Sequence, residues 1–187
     1  MEIVKNDIER LREYAMNRWK LGEYSLHGVE HWDRVAKNGD TLNVSGADMV
    51  VVRVFAYLHD VERLDDGYDM EHGPRAAKLI SQIRGTVLNF LNDQQIELLT
   101  KACSLHTVVR KTGNATIDTC FDADRLDLPR VGIMPRCERM ATKEGAEKAK
   151  ELILKMNLSW QNKRKFYFSF VFCTHSTINL SVEGSHA

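Results

Sequence analysis

The chain lacks the features that would place it among membrane, fibrous or zinc-ribbon proteins. Its 187 residues contain no apolar run of 18 residues, and its four cysteines form no CxxC pair. Basic and acidic residues both total 26, so no net field attracts nucleic acid or an anionic membrane. The first residues alternate in charge where a secretory signal needs an apolar core. We therefore expect a soluble, reduced, cytoplasmic protein.

Length and composition predict a single folded domain. Domains commonly have roughly 100 to 200 residues, and a chain of this size buries roughly 70% of the surface that it exposes when unfolded. It therefore needs neither a disulfide nor a zinc ion to fold. Hydrophobic residues make up 43% of the chain and charged residues 28%, which excludes disordered and collagen-like classes.

Apolar residues recur at intervals of three and four along most of the chain, which predicts an all-α fold, a compact helical bundle. The most apolar such segment runs from Asp48, an expected N-cap, to Val61, and we expect it to be the central helix. Asn92 and Gln95 fit a capping box at the start of another helix. The other predicted helical stripes run from Ile8 to Trp19, His31 to Lys37, Pro74 to Ile83, Ile96 to His106, Ile117 to Leu128 and Glu144 to Leu154.

The last thirty or so residues follow a different pattern. Phenylalanines at every second position from Phe166 to Phe172 predict a strand. Both faces of such a strand are mostly apolar, so it could pack on the helices, pair with another chain or lack order. We therefore assign the domain to residues 1–154 and treat 155–187 as a tail of uncertain structure.

Two helical stripes contain residues that a plain apolar core would not include. His106 ends one stripe and Asp124 interrupts another, and a buried carboxylate is costly unless it is paired or binds a metal. The central helix closes with His59 and Asp60, which offer a neutral nitrogen and an anionic oxygen to a cation. With His31, these residues form an ordered set of candidate ligands.

This set resembles the HD-domain superfamily of metal-dependent phosphohydrolases, which carries a histidine, a histidine–aspartate pair and an aspartate on an all-α fold. The segments HGVEHWDRV, YLHDVER, EHGPRAA and DADRLD are similar to family segments and occur in family order over residues 20–135. Their joint occurrence is specific, whereas one histidine–aspartate pair is not. The resemblance implies a divalent metal (Mn, Fe, Mg, Co, Ni or Zn) bound by His31, His59, Asp60 and Asp124.

Some HD subfamilies have additional ligands where this chain has His72 and His106. Six ligands could hold two cations about 3.5 to 4 Å apart, with Asp60 bridging them and helping to activate water. A histidine that merely starts a helix at position 72, and a core or phosphate-contacting histidine at position 106, are the alternatives. One metal or two therefore stays open.

The DADRLD segment contains three acidic residues. The resemblance assigns the metal to Asp124, and the helical spacing agrees, because Asp124 shares a stripe with Phe121 whereas Asp122 and Asp127 do not. We expect Asp122 and Asp127 to lie on a solvated helix face or to cap a helix.

A competing motif overlaps the first candidate ligand. Residues His27 to His31 spell HxxEH, the inverted zinc-protease signature, in which both histidines bind zinc from one helix and the glutamate activates water. Gly28 weakens that helix, and the motif leaves the histidine–aspartate pair unexplained. We therefore expect His27 to line a pocket or lie on the surface.

The resemblance implies hydrolysis of a nucleotide or another small phosphate ester. A divalent cation lowers the pKa of its bound water to about 7 and neutralises charge on a phosphoryl oxygen. The alternatives are a di-iron oxygenase on the same fold and a non-catalytic sensor that binds a nucleotide. The basic residues nearest the ligands in sequence are candidate phosphate contacts, namely Arg75, Lys78, Arg110 and Lys111.

Overall fold

The protein is described by a computed structural model that covers the backbone of residues 2–173 and the side chains of residues 5–158. All regular elements in that part of the chain are helical, which confirms the predicted all-α class. The α-helices are α1 (Glu2–Arg18), α2 (Val29–Leu42), α3 (Met49–Leu58), α4 (His72–Ile83), α5 (Asp93–Leu105), α6 (Ala115–Arg125) and α7 (Lys143–Cys173). Two short 3₁₀ helices, Leu128–Val131 and Cys137–Arg139, lie between α6 and α7.

The helix starts follow from local capping. The side chain of Asp48 accepts from the backbone N–H groups of Val50 and Val51, at 3.0 and 3.3 Å, and so caps α3 as predicted. Asn92 and Gln95 form the predicted capping box, with reciprocal bonds of 2.9 and 3.0 Å. These bonds satisfy N–H groups that have no partner within the helix, and they fix where α3 and α5 begin.

Helix α3 is the centre of the bundle, as its apolar sequence predicts. It packs against α1, α2, α5 and α6, and the side chains of Val54, Phe55 and Leu58 are fully buried. It approaches α2 so closely that a Cβ at Gly39 would lie 2.5 Å from a methyl carbon of Val52. The C-terminal end of α3, where His59 and Asp60 follow, therefore lies inside the protein.

The strand predicted from Phe166 to Phe172 is wrong, because α7 continues through Cys173. The segment is apolar at nearly every position, so a period of two could not be told from a buried face of any other period. Neither proline nor glycine occurs between Gly145 and Cys173 to end the helix that begins at Lys143.

Contacts divide the chain into two units, Met1–Lys150 and Glu151–Ala187. Every candidate ligand belongs to the first unit. None of the helices within the described residues is long and apolar enough to cross a membrane.

Candidate metal centre

Helix ends bring the six candidate ligands together. His59 is the C-cap of α3 and Asp60 follows it, while His106 is the C-cap of α5. His72 is the first residue of α4, and His31 lies in the first turn of α2. Five of the six residues are at most 6% exposed, and the side chain of Asp124, in the last turn of α6, is 21% exposed. The site is therefore a buried cluster of donors with one partly open side.

Four donor atoms form what we call the first ligand group: His31 Nε2, His59 Nε2, Asp60 Oδ2 and Asp124 Oδ1. The two nitrogens are 3.1 Å apart. The Asp60 oxygen is 3.5 Å from each nitrogen, and the Asp124 oxygen is 3.4 Å from His31 and 3.8 Å from His59. Ligands about 2.1 Å from a common cation lie roughly 3.0 to 3.4 Å from one another. These five distances are therefore close to the spacing that one divalent cation needs.

Three donor atoms form the second ligand group: Asp60 Oδ1, His72 Nε2 and His106 Nε2. The two nitrogens are 2.9 Å apart, and the Asp60 oxygen is 3.0 Å from His72 and 3.8 Å from His106. Asp60 thus presents one oxygen to each group. A carboxylate placed in this way can bridge two cations.

Hydrogen bonds at Nδ1 fix which ring nitrogens face the cluster. A backbone carbonyl can only accept, so a histidine bonded to one through Nδ1 carries its proton there and leaves Nε2 with a bare lone pair. In the second group two such nitrogens, those of His72 and His106, lie 2.9 Å apart, where two lone pairs repel unless a cation or a proton lies between them. The carbonyls are those of Phe55 and Ala56 for His59, Asp69 for His72 and Cys103 for His106.

His31 is oriented by a carboxylate instead of a carbonyl. Its Nδ1 lies 2.7 Å from Asp127 Oδ2, and the other oxygen of Asp127 accepts from Arg34 Nε at 2.7 Å. A carboxylate behind a ligating histidine fixes the ring and raises its basicity. Asp127 is 7% exposed, so the solvated position predicted for it is wrong. It does occupy the N-cap position of the 3₁₀ helix Leu128–Val131, but its side chain makes no capping bond there.

Burial and charge set the protonation of the cluster. Burial lowers the pKa of His59 to about 3, so this ring is neutral at pH 7. Burial also lowers the pKa of His31, but its bonds to Asp124, Asp127 and Asp60 outweigh that effect and raise the pKa to about 10. Burial raises the pKa of Asp60 and Asp124, yet the surrounding histidines hold both below their usual range. A cation at His31 Nε2 must therefore displace a proton, so its affinity falls with falling pH.

Asp122 has a structural role that its sequence position did not reveal. It is fully buried and accepts from the backbone N–H groups of Ala141 and Thr142, at 2.7 and 2.8 Å. A Cβ at Gly145 would lie 2.1 Å from its Oδ2. Asp122 thus ties α6 to the start of α7, which corrects the prediction of a solvated face and shows that α7 begins in close contact with α6.

Two further residues, His27 and Arg63, contact Asp60, and neither contact was predicted from the sequence. The side chain of His27 is 12% exposed, with Nδ1 2.9 Å from Asp60 Oδ2 and 3.1 Å from Arg130 Nη2. Arg63 Nε donates to Asp60 Oδ1 at 3.3 Å. Arg63 could have been found from the sequence, because residues three apart along a turn of the chain often contact each other. The contact between His27 and Arg130 could not, because 103 residues separate them. His27, His31 and Asp60 also lie close enough to share a cation.

The protease interpretation of HxxEH does not fit this arrangement. The side chain of Glu30 is 93% exposed and pairs with Arg34 at 3.7 Å, so it points away from the cluster. Helix α2 begins at Val29, so His27 precedes the helix that carries His31. The motif requires a glutamate directed at the metal and two histidines on one helix face, and the structure has neither arrangement.

The four candidate phosphate contacts lie in different surroundings. Arg75 pairs with Asp69 and donates to the backbone oxygen of Glu62 at 3.0 Å. Arg110 donates to the backbone oxygen of Glu138 at 2.9 Å and lines a cavity that His106 also lines. Lys78 and Lys111 are exposed.

Comparison of the chain with protein-family models, with curated proteins and with solved structures gives no match. The function is therefore inferred from the chemistry of the cluster and from the segments that resemble the HD-domain superfamily.

Proposed function

We propose that the protein is a divalent-metal-dependent phosphohydrolase of the HD-domain superfamily, acting on a nucleotide or another small phosphate ester. The observation that carries this proposal is the pair of adjoining ligand groups that share Asp60, with four buried imidazole nitrogens directed at them. Each of the four histidines is held by a hydrogen bond at Nδ1 that directs its Nε2 at the cluster, as is expected of metal ligands. We infer two cations, one for each group.

Charge balance favours an anionic substrate. Two divalent cations carry four positive charges, and the ligands include only two carboxylates, Asp60 and Asp124. The site would therefore keep about two positive charges in a buried setting, where they attract a phosphate group. When bound, such cations lower the pKa of water to about 7 and stabilise the charge that develops on phosphoryl oxygens.

Residues around the ligands fix the orientation of the ligand side chains. Asp127 orients His31, and Arg63 and His27 contact the two oxygens of Asp60. Because Asp60 belongs to both ligand groups, any movement of its carboxylate changes both. Restraining it would hold both groups of ligands in place for two bound cations, as in-line attack on a phosphorus atom requires.

A di-iron oxygenase is the second candidate, because a site with four imidazoles and two carboxylates also suits iron. The two functions require different properties of the metal. Hydrolysis needs only a Lewis acid, whereas oxygen chemistry needs iron that changes valence.

The test uses protein loaded anaerobically with Mn or Mg and a panel of nucleotides and sugar phosphates. We expect phosphate release from at least one compound, at a rate that does not change when air is admitted. The control is Asp40→Asn, which alters an exposed carboxylate that pairs with Arg53 and is not one of the ligands. Oxygen consumption by the iron-loaded protein without any hydrolysis would replace the proposal by the oxygenase. Tight nucleotide binding without turnover would replace it by the sensor.

A further inference from the structure

A cavity of about 250 Å³ adjoins the second ligand group. We call it the arginine cavity, because three of its seven lining residues are arginines and none is acidic. His106, a member of the second ligand group, forms part of its wall, and Arg125 directly follows Asp124 in the chain. The lining residues are His106, Thr107, Val108, Val109, Arg110, Arg125 and Arg139.

Arg125 holds the cavity together from within. Its Nη1 donates to the backbone oxygens of Arg110 and Arg139, at 2.7 and 3.1 Å, and its Nη2 donates to that of Val109 at 2.9 Å. These bonds join the segment after α5 to the segment before α7. Arg110 also donates to the backbone oxygen of Glu138, so a second side chain connects the same two segments. The cavity is thus formed by the fold itself, before any ligand arrives.

The positive charge of the cavity is only partly balanced. Arg125 has Asp122 at 3.5 Å, but that carboxylate already accepts bonds from Ala141 and Thr142. Within the described residues, neither Arg110 nor Arg139 has a carboxylate within ion-pair distance; Glu138 pairs instead with Arg136, at 3.9 Å. Guanidinium groups that share a cavity repel one another, and an anion between them relieves that repulsion.

We propose that the arginine cavity binds a second anionic group of the substrate whose scissile phosphate lies at the metal centre. The preferred substrates are then phosphoric anhydrides, with two or more phosphates in a row, in preference to simple monoesters. The inference rests on the proposed function, because it assigns the neighbouring phosphate to the two ligand groups. Arginine suits this role because its planar donors match the oxygens of a phosphate in pairs.

The test measures binding of orthophosphate and of pyrophosphate, the latter as its non-hydrolysable methylene analogue, by calorimetry, with the protein loaded with Mn and excess Mn in the buffer. Arg139→Gln is the first variant, because the Arg139 side chain forms no hydrogen bond or ion pair within the described residues that the fold would lose. Arg110→Gln combined with Arg139→Gln is the second. The control is Arg136→Gln, which removes the same charge from the same segment but from a side chain that is 70% exposed and outside the cavity.

We expect pyrophosphate affinity to fall about tenfold or more for each cavity arginine that is lost, and to stay unchanged in Arg136→Gln. Orthophosphate, which needs only the metal centre, should bind all four proteins equally. Metal content and the thermal melt of each variant establish that the centre and the fold persist.

The outcomes separate this inference from the hydrolase proposal. Loss of pyrophosphate affinity in Arg139→Gln, in a protein that hydrolyses no phosphate ester, supports the cavity and removes the hydrolase. Equal pyrophosphate affinity in all four proteins overturns the cavity and leaves the hydrolase untouched. An equal loss of orthophosphate affinity also overturns it, because the arginines would then act on the phosphate at the metal centre.

Discussion

The two ligand groups share Asp60 but differ in how completely they are built. The first group has four donor atoms, a second carboxylate in Asp124, and Asp127 behind His31. The second group has three donor atoms, and backbone carbonyls orient both of its histidines. More anionic ligands and a carboxylate behind a histidine both raise affinity for a divalent cation. We therefore expect the first group to bind its metal more tightly and the second to lose its metal first.

Asp60→Ala should have the largest effect, because it removes the only ligand that the two groups share. We expect the protein to lose both metals and all metal-dependent activity while its circular dichroism stays helical. Elemental analysis of the purified variant measures the loss. Full metal content in Asp60→Ala would mean that the cation lies elsewhere.

His72→Ala combined with His106→Ala should empty the second group alone. The metal-to-protein ratio is expected to fall from two to one, because His31, His59 and Asp124 keep their positions. Metal counting at a fixed, saturating Mn concentration measures this directly. If the ratio does not change, these two histidines are not ligands.

Asp127→Asn tests the difference between the groups more finely. The amide keeps the shape of the side chain but removes the charge behind His31, so we expect metal affinity at the first group to fall about 10- to 100-fold. Competition with a chelator of known affinity provides the measurement. Weaker binding at the second group instead of the first would contradict the assignment of Asp127.

Asp33→Asn is the matched control, on the helix that carries His31, and should have the smallest effect. Asp33 accepts two bonds from Arg12, at 2.8 and 2.7 Å, but its side chain is 42% exposed, so solvent weakens the pair. We expect the free energy of unfolding at pH 7 to fall by less than about 1 kcal/mol, with metal affinity unchanged.

The pH dependence of that small effect has a definite sign. The bond from Arg12 holds the pKa of Asp33 below its ordinary value of 3.8, although burial opposes the shift. The stabilisation is therefore present above pH 3.8 and is lost as the pH falls through the lower folded-state pKa. Urea unfolding of both proteins should show their difference shrinking in acid. A difference that grows in acid would contradict this sign.

Sequence patterns predicted the features that depend on near neighbours in the chain. Capping at Asp48 and Asn92 needs only the next three residues, so both helix starts were predictable. Asp127 was missed, because α6 ends at Arg125 and the helical spacing that selects Asp124 does not extend to Asp127. The sequence does not show which acidic residues are buried, so it could not distinguish a solvated aspartate from one that is hydrogen-bonded to a ligating histidine.

Contacts between distant segments were beyond prediction. Glu62 pairs with Arg18, which lies 44 residues away, and Arg125 donates to backbone oxygens of two loops. Every residue has the same backbone carbonyl, so the sequence does not indicate which carbonyls a side chain will bond. The contact of His27 with Arg130 depends likewise on how the loops fold together.

Metal stoichiometry of the unmodified protein tests the two-group centre most directly. The protein would be stripped with chelator, reloaded with Mn, freed of excess ion and analysed for Mn per chain, with electron paramagnetic resonance to detect coupling between neighbouring ions. We predict two Mn per chain, coupled through Asp60, with one released at lower chelator concentration than the other. A single Mn per chain under saturating conditions, or two that are uncoupled, would contradict the shared centre.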